Sequence, residues 1–207
     1  GRNGWRLEEF QHYYGNATFD DVGTIESAKF LLRLYIEKRD PKYRPAVERA
    51  IDFVIDSQYP IGAWPQRFPL RHDFSHHGKP DYTSFLTFND DVAEQNIDFL
   101  LMCYQVLGDP RVLDPVIRGM HAFLVTHVGA PQAGWSLQYT PDLKPVGART
   151  YEPDSLHTGT TANNIELNEI PMTSGLESAP AAPAAAASSG GAGAATGVAV
   201  DTSNLRA

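Results

Sequence analysis

Thr18-Phe19-Asp20-Asp21 returns 69 residues later as Thr87-Phe88-Asn89-Asp90. At the same offset Phe30-Leu31-Leu32 becomes Phe99-Leu100-Leu101, and Asp40-Pro41 becomes Asp109-Pro110. Further on, Gly62-Ala63-Trp64-Pro65 is answered by Ala133-Gly134-Trp135-Ser136. A period longer than the common solenoid repeats leaves room for two helices and a substantial loop. The apolar spacing supplies the helices. Ala28, Leu31, Leu32 and Tyr35 fall on one side of a first helix, and Val47, Ala50, Ile51 and Val54 on one face of its partner. The second copy offers Ile97, Leu100, Leu101 and Tyr104, then Val116, Met120 and Phe123. Both Asp-Pro pairs read as helix starts, with aspartate as N-cap and proline at the first helical position. The expected fold class is all-α, built from helical hairpins joined by long loops.

A third copy begins at Asn164-Ile165-Glu166-Leu167, which echoes Asn96-Ile97-Asp98-Phe99. No partner helix with a periodic apolar face follows it. From about Ser178 the chain turns to Ala, Pro, Gly and Ser, as in Ala181-Ala182-Pro183-Ala184 and Ser189-Gly190-Gly191. Such a segment has too little to bury to offset its ordering entropy, and disorder is the expectation. The chain therefore divides into a remnant N-terminal segment (1–17), the hairpin region (18–170) and a low-complexity tail (171–207).

Of the 207 residues, 42% are apolar and 20% charged, as in soluble globular proteins. No apolar run is long enough to span a membrane, so no membrane partner is expected. The formal charge of −8 argues against nucleic acid. A polyanionic sugar faces the same repulsion unless a local positive group or a bridging cation receives it. The single cysteine, Cys103, cannot form an internal disulfide; its apolar run suggests a small buried hydrophobe. Gly1-Arg2-Asn3-Gly4-Trp5 has no signal-peptide character, so the export signal of a secreted or periplasmic parent would lie upstream. A monomer is expected.

Two acidic clusters, Asp20-Asp21 and Asn89-Asp90-Asp91, hold equivalent places before the first helix of each copy. Converging oxygen ligands suit calcium. Asp and Asn are also the preferred N-caps, and on spacing alone capping is the simpler account. Arg149, in Arg149-Thr150-Tyr151-Glu152-Pro153, would lie at the same end of the hairpins. Its planar fork could grip a carboxylate, or it could pair with Glu152 or another acid as a loop staple, the simpler account on sequence alone. Trp64, Pro65, Gln66 and Arg71, with Trp135, could form a sugar-stacking wall; the tryptophans could equally plug the core. His72, His76 and His77 near Asp73 lack a matching zinc ligand set and read as a polar loop.

These motifs resemble those of the family 10 pectate lyases. Asp20-Asp21-Val22-Gly23-Thr24 resembles Asp-Asn-Gly-Ala-Thr of that family, and Tyr59 to Gln66 resembles its Tyr-Pro-Asn-Gly-Gly-Trp-Pro-Gln. Phe68-Pro69-Leu70-Arg71, Leu86 to Asp91 and Ala148 to Pro153 are similar to its Tyr-Pro-Leu-Arg, Ile-Thr-Phe-Asn-Asp-Asp and Ala-Arg-Ala-Tyr-Glu-Pro. The resemblance implies an (α/α)₃ toroid and calcium-dependent β-elimination on polygalacturonate. It implies Asp20 and Asp90 as metal ligands and Arg149 as catalytic base. Asp21, Asn89, Asp91, Trp64, Arg71 and Tyr151 are expected to contact substrate. Asp21 stands where the family often has asparagine, and Tyr139 replaces a histidine. The family's Ala-Arg-Phe-Tyr and Gly-Arg-Asp segment has no counterpart, so a C-terminally truncated toroid is expected. An inactive or merely carbohydrate-binding fragment, and another α/α-toroid glycosidase, are the alternatives.

Overall fold

The computed structural model describes residues 16–70, 81–149 and 151–169. The expected tail, the histidine loop and Arg71 lie outside the described residues. Among the described residues five α-helices form: α1 (Gly23–Lys38), α2 (Arg44–Asp56), α3 (Val92–Leu107), α4 (Leu113–Thr126) and α5 (Thr158–Glu169). The four helices read from periodicity are α1 to α4, and α5 is the opening helix of the third copy.

Each Asp-Pro pair begins a short 3₁₀ turn that leads into the second helix of its hairpin. Asp40 accepts the Lys42 N–H and Asp109 the Arg111 N–H, both through the side chain. The first helices end alike, on a left-handed residue whose N–H reaches back four positions. Arg39 does so at φ 52° and Gly108 at φ 66°.

Ile25, Leu32, Ile51, Val54, Ile97, Leu100, Val116 and Phe123 are almost fully buried in one continuous core. Each such aliphatic side chain contributes roughly 1.5–3 kcal/mol. Cys103 is buried among them, a small apolar filler. Phe30 and Leu124 remain 66% and 69% exposed, as apolar surface.

The long loops are ordered by two short antiparallel pairs. β1 (Ala17–Thr18) pairs with β2 (Arg67–Phe68), and β3 (Leu86–Thr87) with β4 (Gln138–Tyr139). β1 starts one residue inside the segment assigned to the N-terminal remnant. In each unit, the strand entering the first helix is thus tied to a strand within that unit's long loop.

Trp64 anchors the first loop. It is fully buried, and its indole N–H donates to the Val54 carbonyl at 2.8 Å. Trp135 does the same in the second unit, donating to Phe123 at 2.8 Å. The sugar-stacking role expected of Trp64 is therefore corrected. A side chain with no accessible face cannot stack a ligand, and its polar tip is already satisfied by the helix end beneath it. Gln66, also offered for that wall, is buried too.

The glycine beside each tryptophan faces the following unit. At Gly62 (φ 108°) a Cβ would lie 1.9 Å from the Arg118 carbonyl oxygen in α4. At Gly134 (φ 152°) it would lie 2.6 Å from the Thr161 hydroxyl in α5.

Candidate active site

The acidic turns do not cap their helices. Neither α1 nor α3 receives a side-chain cap, so the capping account is overturned. Instead each turn contains two consecutive non-glycine residues in the left-handed region: Asp21 (φ 50°) and Val22 (φ 53°), then Asp90 (φ 52°) and Asp91 (φ 55°). Left-handed backbone costs a residue with a Cβ about 1–2 kcal/mol. Four such residues in two matched turns are backbone strain held in place by the surrounding fold. The sharp turn brings the carboxylates of both units together. Ligand oxygens of Asp20, Asp21 and Asp90 all lie within 4.8 Å of one another.

Arg149 reaches this cluster from the second unit's long loop. Its Nη2 donates to Asp90 Oδ2 at 2.8 Å, and its Nη1 lies 3.5 Å from Asp20 Oδ2. It also forms the staple: Nε donates to Glu152 Oε2 at 2.8 Å, Nη2 to Glu152 Oε1 at 2.7 Å. The staple account of Arg149 is thus realised, and its pairing extends to Asp90 and Asp20. Tyr151 lies beside it, with the guanidinium carbon 5.4 Å from the ring centre.

Three carboxylates, those of Asp20, Asp90 and Glu152, contact this one guanidinium, and Asp21 belongs to the same acidic cluster. The imbalance is visible in the acid–base properties. Burial, followed by the hydrogen bond and charge of Asp90, pushes Asp20 up to about 7. Burial alone favours a neutral Arg149, but Glu152, and then Asp20 and Asp90, outweigh it and raise the pKa above its ordinary value. The three clustered aspartates offer the close-set oxygen donors that a hard divalent cation takes.

A groove of about 620 Å³ runs from this cluster toward the start of α5. Asp21, Asp90, Asp91 and Tyr151 line it, as do His157 and Asn163 from the third unit. Asp91 accepts from Asn163 Nδ2 at 3.0 Å, so its carboxylate ties α3 to α5. Asn89 touches the groove but is only 6% exposed. Its amide donates to Asp90 Oδ2 at 2.7 Å and to Glu152 Oε1 at 3.0 Å, leaving no hydrogen for a substrate. The third unit carries no acid at the corresponding corner. There His157 Nδ1 accepts the Thr160 N–H at 3.2 Å, capping α5.

Asp20, Asp90, Asp21 and Arg149 are thus brought together, with Tyr151 and Asp91 on the adjoining groove wall. Trp64 is elsewhere, in the core. The sequence reading missed His157 and Asn163 and kept Asp21 out of the ligand cluster. The repeat offset carries the signal for Asp21, since it sets Asp21 opposite Asp90.

The sequence profile of the pectic acid lyase family matches residues 5–185. Among solved structures, the chain is similar to a family 10 polysaccharide lyase from Cellvibrio cellulosa, with 26% identity and a TM-score of 0.63. That alignment covers 73% of this chain and 49% of the other. A mutant of a family 10 polysaccharide lyase from the same organism, solved in complex with trigalacturonic acid, matches at 26% identity and a TM-score of 0.62 over the same shares. The chain spans about half the length of these structures. No curated protein matches it. Its hairpins have the α/α-toroid fold of these lyases.

Proposed function

The chain belongs to the pectic acid lyase family, and on that premise we propose that it is a pectate lyase cutting polygalacturonate by calcium-assisted β-elimination. One observation carries the reading: Arg149 is held 2.8 Å from Asp90 and 3.5 Å from Asp20, beside a groove that continues to α5. The trigalacturonic acid bound by the similar structure is a uronate of the class such a cation-balanced groove would receive.

Asp20, Asp21 and Asp90 would hold the calcium. When bound, calcium supplies positive charge to the uronate carboxylate, where negative charge accumulates in the transition state. The chain's own residues then do the positioning. Asp91 keeps α5 against the groove, and Tyr151 offers an exposed ring on the wall beside Arg149. Arg149 would accept the C5 proton, α to the carboxylate. The C5–H electron pair becomes the C4–C5 double bond, and the C4–O bond breaks toward the leaving sugar.

Arginine accepts a proton only from its neutral form, and here Glu152, Asp20 and Asp90 oppose that form. Activity is therefore expected to rise well above neutral pH. A maximum near pH 5 would count against Arg149 as the base.

The test is a polygalacturonate assay with and without a chelator. Elimination leaves unsaturated ends that absorb in the ultraviolet, and chelation should abolish them. Reducing ends without that absorbance would point instead to hydrolysis by a carboxylate pair. Neither product, with retention on a pectate column, would leave a binding function alone.

A further inference from the structure

The buried polar groups behind Arg149 support a step beyond this reading. Glu152 is 5% exposed, and both its oxygens are used. Oε2 accepts the Arg149 backbone N–H at 2.9 Å and Nε at 2.8 Å; Oε1 accepts Nη2 at 2.7 Å. The fourth donor is the Asn89 amide at 3.0 Å, and that same nitrogen donates to Asp90 at 2.7 Å.

Asn89 is itself anchored. Its backbone N–H donates to the Leu137 carbonyl at 3.2 Å, and Gln138 Nε2, fully buried in β4, lies 3.5 Å from Asn89 Oδ1. The β3–β4 pair that organises the second loop thus also fixes the amide.

We propose that Asn89 and Glu152 are positioning residues, a buried amide–carboxylate brace that sets the Arg149 guanidinium against Asp90. The brace takes the Nε/Nη2 edge of the fork and leaves Nη1 as the nitrogen turned toward Asp20. A loop staple alone would not need it. Burying a charged carboxylate and an amide costs desolvation that an apolar pair would avoid, whereas orienting a planar fork needs this donor and acceptor set. The role of Asn89 changes accordingly, from substrate contact to support.

The catalytic part of this inference rests on the lyase reading; the geometric part does not. In the full chain, Asn89→Asp keeps the side-chain size but removes both donors, and Glu152→Gln keeps the shape but removes the charge. Each should lower kcat about 10–100-fold, as loss of a supporting hydrogen bond does at other sites, with KM changed less than about twofold. Thermal melts identify a variant that fails to fold, and the other then carries the test. A rise in KM with kcat unchanged would return Asn89 to the substrate and overturn the brace.

The second readout needs no activity. The Nε–H resonance of Arg149, assigned through Arg149→Lys, should be sharp and slowly exchanging in the parent chain and broadened in Asn89→Asp. Identical resonances in both would overturn the proposal. A parent chain that yields no unsaturated ends would instead refute the lyase reading, leaving the brace to be decided by the resonance.

Discussion

The two complete hairpin units make the same turn and put different chemistry into it. Both reach the first helix through a strand paired with one in the unit's long loop, then a two-residue left-handed corner. In the first unit that corner follows Asp20, a partly buried carboxylate that burial, and then Asp90, push up to about 7. In the second unit the equivalent residue is Asn89, a neutral amide that donates to its neighbour Asp90 and to Glu152. One unit therefore brings excess negative charge, and the other brings the scaffold that holds a guanidinium against it. The third corner has neither, only His157 closing the head of α5. Repetition supplied the geometry, and the departures from repetition supply the site.

The strongest way to break this comparison is to remove the group that joins the two corners. Arg149→Ala should lower turnover by about 10²–10⁴-fold if it moves the proton, read as unsaturated product from polygalacturonate. A rise in KM with kcat unchanged would make it a substrate clamp.

The glycines sharpen the contrast between the units. A Cβ at Gly62 meets the backbone of α4, which cannot rotate away, whereas one at Gly134 meets the Thr161 side chain. Gly62→Ala should cost on the order of 3 kcal/mol from the clash and the positive φ, and Gly134→Ala less. Urea unfolding of the two variants decides the order.

A smaller effect separates the first helices of the two units. The repeat sets Glu94 opposite Ile25, which is buried and apolar. Burial, then the charges of Asp91, Asp98 and Glu166, push Glu94 up to about 7 against the pull of Lys29. A carboxyl raised by folding favours the native state below its unfolded pKa, about 4.3, and that contribution is lost as pH rises through 7. The parent chain should thus lose melting temperature between pH 5 and pH 8, and Glu94→Gln should flatten that slope. An unchanged slope would place the sensitivity elsewhere.

The smallest effect lies at the helix ends. Arg39 occupies the left-handed position that Gly108 fills in the second unit. Arg39→Gly should stabilise the first unit by about 1 kcal/mol, visible as a shift of a few degrees in a melt.

Most of the fold was legible because it rests on periodicity. Leu32, Ile51, Ile97 and Phe123 announce four buried faces, and the Asp-Pro pairs mark two turns. The site was legible in part. The repeat brought Asp21 and Asp90 into register, and the motif around Arg149 placed it near them. Trp64 was misplaced because a loop tryptophan looks the same in sequence whether its ring faces sugar or core. Only the Val54 carbonyl beneath it decides. The left-handed corners were invisible, since no glycine stands at 21, 22, 90 or 91 to signal them. Nor does sequence reveal that Asn89 spends both amide hydrogens inward, because that depends on a strand pair between residues 86 and 139.

The glycine contacts give the architecture a direction. Each loop hangs by its tryptophan from its own hairpin, yet comes to rest on the next one along the chain. A wall finished in this way has no independent bricks, so damage at one joint is expressed downstream of where it was made. The acid corner of the first unit is therefore only as well placed as the helices that follow it.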